Sequence, residues 1–153
     1  MPAEGSAPTW PEVKTAYWRS HRALKRQRSS REAPRPDEVE DPDFWAWEYV
    51  HDLCESGDRV VLDWLVDLAE SAPDDEDLAY LGAGPIEDFV SAYGRRMIED
   101  IEEAAKRSPS FVRALQGMYP TLIPESIRVR MLPLVPATAP ENRIREQQGL
   151  APL

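Results

Sequence analysis

Residues 59–70 read RVVLDWLVDLAE, an apolar run interrupted only by acidic side chains after its first residue. The acidic positions inside the run, Asp63, Asp67 and Glu70, are spaced so that they share one face of a helix. The other faces are apolar, which is typical of a helix that its neighbours cover on most sides. The sequence therefore predicts that this segment is the central helix of a helical bundle. Pro73 follows closely and is expected to end the helix.

The segments on either side of this helix carry helix signals of their own. The predicted helix starts are N-cap residues or prolines, namely Asp41-Pro42, Asp58, Asp74, Gly84-Pro85 and Ser108-Pro109. The connections between them are short, which favours antiparallel packing of consecutive helices. We therefore predict an all-α fold, a compact antiparallel bundle of about five helices.

The two ends of the chain differ in character from this core. Residues 10–28 predict a basic helix capped by Thr9, and residues 31–40 contain two prolines that are typical of a linker. Residues 127–131 alternate apolar and basic side chains, a strand-like period with no sheet to join. The predicted organisation is a basic leader helix and linker at 1–40, an acidic helical core domain at 41–120, and a Pro-rich extended arm at 121–153.

Charge is sorted along the chain in a similar way. The 153 residues have a net charge of −10. Residues 1–36 hold eight Lys/Arg against three Glu, a net of +5, whereas residues 37–125 hold six against 23 Asp/Glu, a net of −17. Residues 126–153 hold four against two, a net of +2. An acidic body repels phosphate backbones and suits a basic partner.

The composition also indicates a compartment. The chain has one cysteine, Cys54, so it forms no internal disulfide, which fits a reducing environment. The first residues, MPAEGSAPTW, lack the basic and apolar regions of a secretory signal. No apolar run approaches the roughly 18 residues that span a bilayer. We therefore expect a cytoplasmic protein without a membrane span.

One stretch resembles a known family. Residues 78–90 read LAYLGAGPIEDFV and are followed by Tyr93-Gly94. This pattern is similar to a small all-helical bacterial domain family of unknown function, whose members start a helix with Gly-x-Gly-Pro-Leu-Glu-Asp. Ile86 replaces the usual leucine here, and the resemblance covers about residues 44–119. It implies a helical fold and a bacterial source, and it brings no activity, cofactor or ligand.

Three patterns that can carry chemistry have simpler structural explanations. Glu48 and His51 form one Glu-x-x-His pair, but di-metal bundles need two such pairs and further carboxylates. Cys54 follows His51 by three residues, but no orienting group or oxyanion hole is recognisable. The glycines of Gly82–Gly84 are explained by ending one helix and starting the next. The sequence therefore predicts no catalytic, cofactor or metal site.

The charge and aromatic patterns favour a protein that binds a partner. The first hypothesis is a non-enzymatic interaction module, such as an immunity-type or adaptor protein, whose acidic face docks a basic partner. Its predicted partner-binding residues are Trp45, Trp47, Asp63, Asp67 and Glu70.

The alternative hypothesis is a nucleic-acid-associated regulator that binds through the basic N-terminal helix. Its predicted contacts are Arg22, Lys25, Arg26 and Arg28. The same helix also fits an anionic membrane surface or a groove on a partner protein. A further alternative is docking of the leader on the acidic body of its own or another copy, which would give a homo-oligomer.

Overall fold

A computed structural model describes residues 7–29, 41–131 and 133–134. Its α-helices are, in chain order, α1 (Trp10–Ser29), α2 (Phe44–Ser56), α3 (Arg59–Glu70), α4 (Asp75–Leu81), α5 (Glu87–Arg107), α6 (Pro109–Leu115) and α7 (Glu125–Met131). A π-helical segment, Gly82–Ile86, joins α4 to α5, and a 3-10 turn, Pro120–Leu122, precedes α7. These described ranges contain no strand, so the predicted all-α fold class is confirmed.

The chain divides into two compact units, Met1–Leu53 and Cys54–Leu153. The first unit holds α1 and most of α2, and the second holds the helices from α3 to α7. This division does not coincide with the predicted boundaries at residues 40 and 120. The leader helix shares a unit with α2, and α7 shares a unit with the helices before it.

In the first unit, α1 begins with half of a capping box. The backbone N–H and the hydroxyl of Thr9 both donate to Glu12 Oε2, at 2.8 and 2.7 Å. These hydrogen bonds lower the pKa of the Glu12 carboxyl. The face of α1 with side chains removed from solvent consists of Val13, Ala16, Tyr17, Trp18, Ser20 and His21. The leader helix is therefore more deeply buried than its narrow apolar stripe predicts.

The start of α2 is tied to α1 by polar contacts. Asp41 accepts a hydrogen bond from Ser20 Oγ at 2.6 Å and another from the backbone N–H of Asp43 at 3.0 Å. Arg19 donates to Asp43 at 2.9 Å. Asp41 thus orders the turn before the helix, and two residues that the sequence assigns to a leader contact the start of the predicted core.

The chain leaves α2 through a glycine, as the sequence predicts. Gly57 has φ +63°, the left-handed conformation that glycine adopts without steric cost. In the second unit, α5 holds this turn, because Tyr93 Oη donates to the Glu55 carbonyl and Arg96 donates to the Gly57 carbonyl. The Arg96 guanidinium also lies 5.3 Å from the centre of the Tyr93 ring.

The core of the second unit is built on α5 and α6. Helix α5 packs against α3, α6 and α7, and α6 also packs against α3 and α4. Helix α3 exposes Arg59, Asp63 and Glu70, and Val60 is 45% exposed. Its other residues are buried or half-buried, so the predicted coverage on most sides departs from the structure at Val60. The largest buried side chains of this unit are Leu62, Leu65, Leu68, Leu81, Ile86, Phe89, Ile101 and Phe111.

Helix α7 lies within the predicted extended arm, and it corrects that prediction for residues 125–131. Ile127 and Met131 are buried, whereas Val129 between them is 54% exposed. Apolar residues at every second position also place every fourth residue on one helix face, so the short run fits a helix as well as a strand. The buried Ile127 side chain packs close to Gly94 of α5, where a Cβ would lie 3.2 Å from an Ile127 methyl group. The rest of the predicted arm, from residue 135, and the predicted linker up to residue 40 lie outside the described residues.

Candidate interaction surface on helix α2

One face of α2 carries three aromatic rings stacked along the helix. Phe44, Trp47 and His51 are spaced by three and four residues, so their side chains are neighbours on a helix. The Phe44 and Trp47 ring centroids are 5.4 Å apart with planes 14° from parallel. The Trp47 and His51 centroids are 5.3 Å apart with planes 6° from parallel. We call these three residues the aromatic ladder.

The ladder is accessible from solvent. Phe44, at its N-terminal end, is 43% exposed, and Trp47 and His51 are half-buried. Stacked aromatic pairs stabilise a helix by about 0.5–1.5 kcal/mol beyond the area they bury. The stacking therefore holds the ring planes in fixed orientations and leaves part of their surface open to a ligand.

A row of carboxylates borders the ladder. Glu48 and Asp52 are both exposed, and each lies one residue after a ladder ring. Neither side chain makes a hydrogen bond or ion pair within the part of the chain that the structure describes. Residues 41–58 contain six acidic residues and no Lys or Arg. This face of α2 therefore combines planar apolar rings with uncompensated negative charge.

The two tryptophans of the predicted partner-binding set have different environments. Trp47 is the central ring of the ladder. Trp45 is also half-buried, but its indole Nε1 is fully buried and has no hydrogen-bond partner among the described residues. The buried Nε1 of Trp45 cannot reach an external partner. The two indoles therefore have different roles, and only Trp47 belongs to the aromatic ladder.

The three predicted acidic residues lie on α3, in the other compact unit. Asp63 accepts from Arg59 at 2.5 Å and lies 4.0 Å from Arg107. Arg59 also donates to Asp100 of α5 at 3.1 Å. Asp67 is half-buried, whereas Glu70 is exposed and its side chain makes no ion pair with any described residue. The charge of Asp63 is thus neutralised by neighbouring arginines, and Glu70 is the exposed carboxylate of the three that is unpaired within the described ranges.

The predicted nucleic-acid contacts lie on α1. Arg22 and Arg26 are exposed, and Lys25 is half-buried. Arg22 and Arg26 are four residues apart, so they project from neighbouring turns of one face. The side chain of Arg28 lies outside the described set.

His51 and Cys54 have different surroundings. His51 is engaged in the ladder, and Cys54 is 3% exposed. Burial, with a smaller contribution from the charge of Asp88, raises the pKa of the Cys54 thiol to about 12. The thiol is therefore protonated at neutral pH and packs as a small apolar side chain. Within the described ranges, no three His, Cys, Asp or Glu residues are placed to hold a metal ion.

The glycine-rich segment before α5 has a structural explanation. Gly82 is helical, with φ −63°, and a Cβ there would overlap the Ala114 carbonyl, so the residue permits α6 to approach. The backbone leaves helical geometry at Gly84, with φ −127° and ψ −109°. Glu87, which follows, is buried and accepts a hydrogen bond from the backbone N–H of Tyr119. Burial raises the pKa of the Glu87 carboxyl, and the Tyr119 N–H partly opposes that shift.

The sequence-based set contains only one residue of the ladder. Phe44 is absent from it, and His51 appears only in two rejected pairs, with Glu48 as metal ligands and with Cys54 as a nucleophilic dyad. The signal that finds the surface is the spacing of Phe44, Trp47 and His51 at positions i, i+3 and i+7, read together with the cation-free segment around them.

An all-helical fold with this arrangement defines a small helical domain protein. The chain belongs to a family of unknown function, DUF6869, whose model matches residues 33–135. That range includes the helices from α2 to α7 and excludes α1, and it confirms the expected membership of a domain family of unknown function. No curated protein and no solved structure matches the chain significantly. Among the described residues, no helix is both long and apolar enough to cross a membrane.

Proposed function

We propose that this protein is a non-enzymatic interaction module that docks a basic partner protein through the carboxylates on α2. The observation that carries the proposal is the exposed pair Glu48 and Asp52, which no described cation neutralises. Other carboxylates of the chain, such as Asp43, Asp63 and Glu102, are paired with arginines. An uncompensated acidic face on a rigid helix attracts a basic surface and accelerates its association.

This proposal moves the docking surface from the predicted set to α2. Trp47 stays in it, whereas Asp63 leaves it because Arg59 and Arg107 already lie beside its carboxylate. Asp67 and Glu70 remain a secondary acidic face. The single cysteine supports a cytoplasmic site of action, as the sequence predicts.

The proposal is tested by titrating the full chain with a short polylysine peptide in a calorimeter. Binding is expected at about 0.1 M salt and is expected to be largely lost near 1 M, where charges are screened within about 3 Å. The variant Glu48→Gln/Asp52→Asn should bind several-fold more weakly.

The matched control is Glu103→Gln/Glu125→Gln, which removes the same charge from two exposed carboxylates on α5 and α7. Their ion pairs with Lys106 and with the half-buried Arg128 lie at the surface and contribute little. The control should bind like the wild type. Equal weakening by both variants would mean that only net charge matters, and absence of binding would reject the proposal.

A second candidate function is nucleic-acid binding through α1, supported by the exposure of Arg22 and Arg26. It predicts DNA or RNA affinity that falls steeply with salt and is lost in Arg22→Gln/Arg26→Gln. Lys25 and Arg28, the other predicted contacts, belong to the same helix. If no gel shift is seen at about 50 mM salt, this candidate function is rejected.

A further inference from the structure

The order of the rings determines where a ligand can stack on the ladder. Trp47 lies between Phe44 and His51 in the sequence and is nearly parallel to both rings. Trp47 therefore already stacks with two rings, whereas Phe44 stacks only with Trp47 among the described residues. Phe44 forms the N-terminal end and is 43% exposed, which makes it the open position.

Negative charge lies beside that open ring. Glu48 is four residues after Phe44, and Asp52 is four residues after Glu48, so the three are successive neighbours along one side of the helix. Both carboxylates are exposed and unpaired within the described residues. A ligand group that satisfies this site must be flat, cationic and able to donate hydrogen bonds to a carboxylate.

We propose that the ladder end is an arginine-binding site, in which a guanidinium of the basic partner stacks on Phe44 and donates to Glu48. This inference rests on the proposed function and specifies its chemistry. Arginine is planar, stacks on aromatic rings and pairs with carboxylates through two donors, whereas lysine is a strongly hydrated point charge. A guanidinium over an aromatic ring already occurs inside the second unit, where Arg96 lies 5.3 Å from the centre of the Tyr93 ring.

Charge complementarity selects this occupant over other planar groups. A nucleobase also stacks on aromatic rings, but it brings a phosphate that the cation-free segment 41–58 repels. The spacing of Glu48 and Asp52 suits a helical partner with arginines four residues apart, each of which would meet one carboxylate.

The test compares short polyarginine and polylysine peptides of equal length against the full chain by calorimetry. Polyarginine is expected to bind roughly three- to tenfold more tightly than polylysine, because a planar, weakly hydrated guanidinium stacks on an aromatic ring better than an ammonium does. Phe44→Leu should remove this preference and leave the salt-dependent binding of both peptides. Phe44→Tyr should retain it, and Tyr119→Leu, which removes an exposed aromatic ring of the other unit, should have no effect.

Each contrary outcome has a distinct meaning. Equal binding of the two peptides, or an arginine preference that survives Phe44→Leu, overturns the arginine site and leaves the basic-partner proposal standing. If neither peptide binds, the proposed function itself fails. Binding of single-stranded oligothymidine that Phe44→Leu abolishes overturns the arginine site in favour of nucleobase stacking. Dimerisation that Phe44→Leu abolishes, without peptide binding, would assign the ladder to a second copy of the chain.

Discussion

Single glycines permit close approach between helices in this protein. A Cβ at Gly82 would overlap the backbone carbonyl of Ala114, and one at Gly117 would overlap that of Ala79. A Cβ at Gly94 would lie 3.2 Å from a side-chain methyl of Ile127, a contact that can relax. The three positions therefore differ in how much a methyl group costs.

We predict that Gly82→Ala destabilises the chain by about 3 kcal/mol or more, because the obstacle is backbone and cannot move aside. Gly94→Ala should change stability by less than about 1 kcal/mol, since the gain in helix propensity offsets a soft side-chain contact. Urea denaturation followed by circular dichroism measures both. Equal effects of the two substitutions would contradict the close α4–α6 approach.

Cys54 provides a test of burial on α2. Its pKa is raised from an ordinary value of 9.0 to about 12, so its thiol should react with Ellman's reagent near pH 8 only after unfolding. The folded-state pKa lies above the unfolded one. The contribution of the neutral thiol to the free energy of unfolding is therefore fully present below pH 9, and it is lost as the pH rises towards 12. Rapid reaction of the native protein near pH 8 would show that Cys54 is accessible.

At the scale of secondary structure, α7 shows where a short sequence pattern is ambiguous. Its alternating apolar residues fit a strand as well as a helix. The structure selects the helix because Ile127 and Met131 then share a buried face and Arg130 reaches Glu102, with contacts of 2.9 and 2.7 Å to the two carboxylate oxygens. The partners of these residues on α5 lie about 30 residues earlier, and local periodicity carries no information about them.

We predict that Ile127→Ala lowers the free energy of unfolding by about 2–4 kcal/mol, the usual range for a truncated buried side chain. Val129→Ala, two residues away and exposed, is the matched control and should change it by less than about 0.5 kcal/mol. Chemical denaturation of the full chain distinguishes the two. A larger effect at Val129 would contradict a helix in the observed register and favour the strand-like alternative.

The helix starts illustrate what a sequence can predict of an element. Ser108 and Asp74 cap their helices by accepting from the backbone N–H groups of Phe111 and Asp77, as their positions predict. Asp58 stands at the N-cap of α3 without such a bond, and Asp41 instead bonds Ser20 and the turn before α2. Cap positions follow from local pattern, whereas the hydrogen bonds made there depend on tertiary neighbours.

At the scale of the whole molecule, the acidic charge is compensated in some places and open in others. Arg59 bridges Asp63 and Asp100, and Arg130 pairs with Glu102. Glu48 and Asp52 have no such partner among the described residues. The net charge of −10 therefore does not show where the unpaired negative charge lies. Carboxylates of α3 and α5 are partly neutralised by arginines, whereas no described cation neutralises Glu48 and Asp52 of α2.

This difference also explains how much of the candidate site was predictable. The all-α class follows from helix periodicity and cap signals, and Trp47 stands out by composition. Asp63 is lost from the acidic surface mainly through Arg59, a local partner four residues earlier at 2.5 Å, and Arg107, 44 positions later, lies 4.0 Å away. The stacking of Phe44 on Trp47, and of Trp47 on His51, is encoded locally by their spacing, and only the exposure of these rings required the structure.

We propose that the aromatic ladder of α2, with Glu48 and Asp52, binds a basic, arginine-containing partner. Nuclear magnetic resonance of the full chain tests it directly, because the five tryptophan indole N–H groups are separate reporters. On addition of a polyarginine peptide, we expect shifts of the Trp47 indole and of the backbone amides of residues 44–52, with the Trp64 indole on α3 unchanged. Shifts centred on Trp64, Asp67 and Glu70 that leave Trp47 unmoved, or no shifts at all, would contradict it.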